Sequence, residues 1–154
     1  MIVVIYLIGS LRNPTIPTIA ATLRTAGYDV FDDWYAAGPT ADDTWQAYET
    51  GRGHDYSQAL QGYAAKHVYQ FDLTHLKRTD VGVLALPAGK SGHLELGYLI
   101  GLGKPGYILL DKQPERFDVM YQFADGVYSS TEELTAELSR RQAWLKNYAS
   151  VSRA

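Results

Sequence analysis

The chain has 154 residues, enough for one domain with a sizeable core. Hydrophobic residues make up 46% and charged residues 20%, which excludes a disordered chain, and a net charge of -3 offers no footprint for a nucleic-acid polymer. There is no cysteine, which excludes disulfides, thiolate metal sites and a cysteine nucleophile and fits a reducing, cytoplasmic setting.

Residues 2–8 form a continuous β-branched and aromatic run, as expected of a central strand covered on both faces. No basic segment precedes it, and it is far below the ~20 residues of a membrane span, so no membrane partner is expected. Gly9, Ser10, Asn13 and Pro14 break the run. A helix is expected over about 17–26, with Ile16, Ile19, Ala20 and Leu23 at helical spacing and Gly27 as its stop. Residues 28–31 read as a second, short strand.

Residues 32–55 differ from their surroundings. Acids and glycines are mixed there with Trp34, Tyr35, Trp45 and Tyr48, which predicts a long functional loop with one helical turn near 44–49. This aromatic insert, 34–55, reads either as loop packing or as a lid that stacks a flat ligand. A bent helical stretch is expected over 57–77, a strand over 81–86, and a helix from about Gly92 to Leu102, stopped by Gly103-Lys104-Pro105. Residues 107–110 make a fourth strand, and Val127-Tyr128 a short fifth. An amphipathic helix over 131–148 closes the chain, and Ser130 followed by Glu133 has the capping-box spacing. Strands alternating with helices predict one α/β domain over residues 1–154. Its sheet should be mostly parallel, five-stranded and flavodoxin-like or Rossmann-like, with helices on both faces.

In such a sheet, ligands bind beyond the carboxyl ends of the strands. Three segments meet there: Gly9-Ser10-Leu11-Arg12, then Asp32 to Tyr35 with Asp33 and Trp34, then the run from Ala88 to Glu95 with Gly89 and Ser91. A glycine turn before a helix offers free N–H groups to an anion or a sugar hydroxyl. Neither the dinucleotide fingerprint nor the P-loop is present, so no cofactor is expected. The four histidines lack zinc spacing, so no metal is expected either. Glu95, about one turn into its helix, should be held ionised by the helix N-terminus and could attack an anomeric carbon. The plainer reading makes it an ordinary acid near a helix start. Tyr6 is open to a core role, Arg12 to a surface role and His93 to a surface role. Asp80 reads as a turn or cap residue.

Ile5-Tyr6-Leu7-Ile8-Gly9-Ser10, Phe71-Asp72-Leu73 ahead of Thr79-Asp80, and His93-Leu94-Glu95-Leu96-Gly97-Tyr98 with Gly103-Lys104-Pro105 behind it resemble the nucleoside 2-deoxyribosyltransferase family. The pattern is also similar to the related 2'-deoxynucleoside 5'-phosphate N-hydrolases. It covers most of residues 1–130, and the aromatic insert least.

The resemblance implies that Glu95 is the nucleophile of a covalent sugar–enzyme intermediate. Tyr6 would orient that carboxylate, and Asp72 would face the base and help to protonate it. Met120 would lie near the active site of a neighbouring subunit, which implies a homodimer or larger assembly. The implied substrate is a small nucleoside or nucleotide, within nucleotide salvage.

Transferase and hydrolase readings stay open. Gly9-Ser10-Leu11-Arg12 resembles the hydrolases' 5'-phosphate turn. Asp118 falls where those enzymes place a phosphate-binding serine, and an aspartate there would favour a free 5'-hydroxyl. Gly89 stands where the transferases carry an aspartate. The balance favours deoxyribosyl transfer from a free 2'-deoxynucleoside to another base or to water. A nucleoside 5'-monophosphate N-glycosidase and a non-catalytic nucleotide-binding domain are the alternatives.

Overall fold

A computed structural model describes residues 1–154. Five strands form one sheet: β1 (Val4–Ile8), β2 (Asp29–Phe31), β3 (Val81–Ala85), β4 (Gly106–Leu109) and β5 (Gly126–Tyr128). Their order is β2-β1-β3-β4-β5, and every neighbouring pair is parallel. This is the flavodoxin-like order, and its direction reverses between β1 and β3.

Seven helices cover the sheet: α1 (Ile16–Thr25), α2 (Ala41–Gly51), α3 (Tyr56–Leu60), α4 (Tyr63–Arg78), α5 (Lys90–Gly101), α6 (Thr131–Arg140) and α7 (Gln142–Ser152). Alternation along the strands divides the core between two faces. Ile5 and Leu7 of β1 join Ile16, Leu23, Leu134, Leu138 and Leu145 from α1, α6 and α7 in a cluster of 17 buried residues. Tyr6 and Ile8 point the other way, into a smaller cluster with Leu76 of α4 and Leu96 and Leu99 of α5. On that second face α5 lies very close to the sheet. A Cβ on Gly82 would come within 2.7 Å of Leu99 Cδ1, and one on Gly92 within 3.0 Å of Leu84 Cδ1. Small residues at those contacts let α5 approach β1 and β3.

Several boundaries differ from the sequence reading. β1 begins at Val4, and Ile2 is 63% exposed. The stretch expected at 57–77 is two helices, because Gly62 caps α4 in an extended conformation. The expected terminal helix is likewise two, divided at Arg141, whose guanidinium donates to the Tyr107 hydroxyl. Ser130 does cap α6, accepting from Glu133 N–H, while the Glu133 carboxylate accepts from Ser129 N–H rather than from Ser130.

The largest correction falls on 32–55. It is no long loop: residues 33–37 form a 3₁₀ helix and α2 has eleven residues. Asp42 and Asp43 in its first turn suit the helix dipole. Its last turn buries Glu49, whose carboxylate lies 2.6 Å from His54 Nδ1. Asp80 is indeed a structural residue, accepting from Val4 N–H and paired with the Arg153 guanidinium. No helix is long and apolar enough to cross a membrane.

Candidate active site

Tyr6, Asp72 and Glu95 meet on the α4/α5 face, at the middle of β1 and beside the reversal in strand order. The pleat of β1 aims Tyr6 at this face, and its side chain is 1% exposed. Asp72 comes from the middle of α4 and Glu95 from α5.

Burial perturbs all three side chains, and Tyr6 and Glu95 also feel their neighbours. Burial pushes the Glu95 carboxyl up to about 7; the Asp72 charge adds to this, and hydrogen bonding with the Tyr6 hydroxyl opposes it. Burial also pushes Asp72 up to about 6. Its Oδ1 is buried and has no hydrogen-bond partner. The Tyr6 hydroxyl is driven far above its ordinary value, first by burial and then by the charges of Glu95 and Asp72. Two carboxyls in one desolvated site cannot both ionise cheaply, so between pH of about 6 and about 7 the pair holds one proton, which is shed as pH rises further.

This corrects the expected state of Glu95. Gly89, in an extended conformation, caps α5, so the helix starts at Lys90 rather than near Gly92. Glu95 is therefore the sixth helical residue, beyond the first turn where the dipole acts. Burial dominates, and Glu95 is easier to protonate than an ordinary glutamate, not harder.

An aromatic wall supports the group. Phe31 packs on Tyr6 with centroids 4.9 Å apart, and His75 stacks on Phe31 at 3.9 Å. Phe71 closes the edge of His75 at 4.8 Å. The sequence reading missed Phe31 and His75 as a set. The signal was available, since His75 follows Asp72 by three residues on one helix and must share its face.

The remaining candidates divide. Gly9 and Ser10 follow β1 directly, and the Ser10 hydroxyl accepts from Arg12 N–H. Asn13 ties this turn to the end of β3 by donating to the Leu86 carbonyl. Trp34 is anchored, its Nε1 donating to the Leu7 carbonyl at 2.8 Å. It packs on both core clusters. Asp33 beside it is exposed, as are Gly89 and Ser91 at the start of α5. Arg12 is turned toward Asp43 of α2, at 2.9 Å. Asp118 and Met120 lie elsewhere, on the segment after β4. Asp118 Oδ1 accepts from Met120 N–H and caps a 3₁₀ helix over 119–123, and Met120 is 56% exposed. No group of three or more His, Asp and Glu side chains is placed to hold a metal ion.

Solved structures that share this architecture include two nucleoside- or nucleotide-processing enzymes. A 2-deoxyribosyltransferase from Bacillus psychrosaccharolyticus superposes with a TM-score of 0.59 at 17% identity, over 86% of this chain and 90% of that one. A CMP N-glycosidase from Clostridium botulinum superposes with a TM-score of 0.53 at 14% identity, over 88% of this chain and 98% of that one. At these identities the likeness is one of fold. No family model matches the sequence, and no curated protein does.

Proposed function

We propose that this protein cleaves the N-glycosidic bond of a 2'-deoxynucleoside through a covalent intermediate on Glu95. The observation that carries this reading is the Tyr6–Asp72–Glu95 group: a buried tyrosine and two half-buried carboxyls of raised proton affinity beside an aromatic wall, with the proton resting on Glu95 until a base draws it to Asp72. Such pairs supply a nucleophile and an acid at neutral pH. The fold, shared with a deoxyribosyltransferase and a CMP N-glycosidase, supports the same reading.

The chemistry balances on these residues. A nucleobase beside Asp72 presents a ring nitrogen or carbonyl that accepts a hydrogen bond. That contact favours the protonated form of Asp72, leaving Glu95 ionised. As the C1'–N bond breaks, its electron pair leaves with the base and Asp72 delivers the proton. A Glu95 carboxylate oxygen closes on C1' from the opposite face and forms the glycosyl ester. Tyr6 holds that carboxylate in place. A second base, or water, then attacks C1', returns a proton to Asp72 and frees Glu95. Gly9, Ser10 and the 89–91 turn would receive the sugar.

Base release from a 2'-deoxynucleoside, followed with and without an acceptor base, tests the reading. Exchange of bases identifies a transferase, and release that ignores the acceptor identifies a hydrolase. Tight binding with no release in either arm would reduce the protein to a non-catalytic nucleotide-binding domain. A 5'-monophosphate substrate is the second reading, favoured by Arg12 in the turn after β1. The Asp43 carboxylate on that guanidinium weighs against it.

The segment 115–126 points to assembly. Phe117 is 88% exposed, Val119 76% and Phe123 67%. A second copy of the chain would cover them and bring Asp118 and Met120 to its own pocket, making a homodimer or larger. A monomer by light scattering that stays active at nanomolar concentration would refute this.

A further inference from the structure

We propose that His93 is a positioning residue, a latch that fixes the segment after β4 over the start of α5 through the Tyr121 hydroxyl. The inference rests on the proposed function for its effect on catalysis, but the latch itself is read from geometry.

Residues 111–124 leave the sheet after β4 and return to it as β5. Only two hydrogen bonds tie this stretch to the rest of the molecule by side chains. One, from Gln113 Nε2 to Ser129 Oγ, is at the 3.5 Å limit and exposed. The other joins His93 Nε2 to the Tyr121 hydroxyl at 2.9 Å. The His93 and Tyr121 rings also stack, with centroids 5.8 Å apart and planes 20° from parallel.

The direction of the bond follows from a second contact. His93 Nδ1 lies 2.8 Å from the Gly89 carbonyl, which can only accept. Nδ1 therefore carries the proton, and in the neutral ring Nε2 is left as the acceptor. The Tyr121 O–H donates to it. One imidazole thus bridges the cap of α5, two residues before Glu95, to the 3₁₀ helix that presents Asp118 and Met120. Tyr121 itself packs on the core cluster that contains Tyr6 and Leu96. The latch seats a segment that otherwise shows the solvent Phe117, Val119 and Phe123.

A side chain bonded through both ring nitrogens is built to hold a neighbour. It has no free nitrogen with which to contact substrate. Its loss should loosen the placement of the 118–123 turn and weaken substrate binding more than the chemical step.

Substitution can separate the two nitrogens. Asparagine mimics Nδ1 and keeps the Gly89 contact, whereas glutamine mimics Nε2 and keeps the Tyr121 contact. His93→Asn and Tyr121→Phe should each raise KM for the nucleoside about fivefold, the scale of one hydrogen bond, with a smaller change in kcat. The double variant should be no worse than either single one, because both break one contact. His93→Gln should restore most of the lost affinity. Amide hydrogen exchange over 115–124 should quicken in His93→Asn and Tyr121→Phe and stay slow in His93→Gln.

Additive losses, or a glutamine variant as poor as asparagine, would overturn the latch. So would exchange over 115–124 that none of the substitutions alters. If the wild type releases no base, the proposed function falls, while the exchange experiment still decides the latch.

Discussion

The two faces of the sheet are made from the same strands and serve different ends. Toward α1, α6 and α7, β1 contributes Ile5 and Leu7 to a cluster of 17 buried residues, and the side chains there are almost wholly apolar. Toward α4 and α5 it contributes Tyr6 and Ile8 to a cluster of eight, and two carboxyls stand beside it. The first face supplies apolar burial, the main favourable term in folding. The second gives up part of that burial to hold groups whose ionised forms it disfavours. Stability and chemistry are therefore separated by one step of strand alternation, and substitutions on the two faces should separate them in turn.

The largest effect should fall on Glu95. Glu95→Gln should lower the rate of base release ~10³-fold or more, as expected when a nucleophile is removed. It should also stabilise the protein at high pH. The folded pKa of about 7 lies above the ordinary value, so the folded state binds this proton more tightly than the unfolded chain. The resulting stability is fully present below the unfolded pKa and is lost as pH rises through about 7. With glutamine there is nothing to lose. Melting at pH 8 should rise by ~3 °C, the scale of about 1 kcal/mol in a chain of this size, and should match wild type at pH 4. A lower melting temperature at pH 8 would contradict the buried-carboxylate picture.

On the opposite face the signs reverse. Leu23 is fully buried in the larger cluster, and Leu23→Ala should lower stability by ~3 kcal/mol through lost burial and the cavity left behind. The folded fraction should keep its kcat, measured well below the melting temperature. A large fall in kcat there would mean that the faces are not independent.

Asp72 should show an intermediate loss. Asp72→Asn removes the proton donor and should reduce the rate ~10²-fold for a poor leaving base. In wild type, the rate should follow a bell in pH. It falls on the acid side as both carboxyls become protonated, and on the alkaline side as the pair loses its last proton. The two limbs should lie near the pair's values of about 6 and about 7. With Asp72→Asn the alkaline limb should vanish. A rate flat between pH 5 and 8 in wild type would argue against a shared proton.

Much of this was legible in the sequence. The strand run ending before Gly9, the Ser130 cap and the glycine stops placed the five strands, α1, α5 and the start of α6, because these are local signals. Tyr6, Asp72 and Glu95, which the resemblance named together, lie on one face of the sheet. Two things were not legible. The 32–55 segment looks like a loop because its glycines and acids are loop residues, yet distant contacts hold it. Asp43 of α2 pairs with Arg12, and Trp34 of the 3₁₀ helix bonds to the Leu7 carbonyl, while Glu49 is buried against nearby His54. Likewise the proton affinity of Glu95 depends on burial and on Asp72, 23 positions away in the chain, which no local spacing expresses.

The smallest effect should be found where α2 meets the turn after β1. Arg12 and Asp43 form an ion pair at 2.9 Å, with both side chains more than 60% exposed. An exposed pair of this kind contributes ~1 kcal/mol at most, and salt weakens it. Asp43 is therefore a bias against a 5'-phosphate and not a barrier. A phosphate reaching Arg12 must displace the carboxylate and then sit beside its charge. Asp43→Asn keeps the shape, frees the guanidinium and removes the repulsion. It should raise kcat/KM for a 2'-deoxynucleoside 5'-monophosphate relative to the free nucleoside by about fivefold at low salt. The gain should shrink toward unity near 1 M salt, where the Debye length falls to ~3 Å. Arg12→Ala in the same background should cancel it. A ratio that Asp43→Asn leaves unchanged at low salt would place the 5' group away from Arg12, leaving Ser10 and the 89–91 turn to receive it.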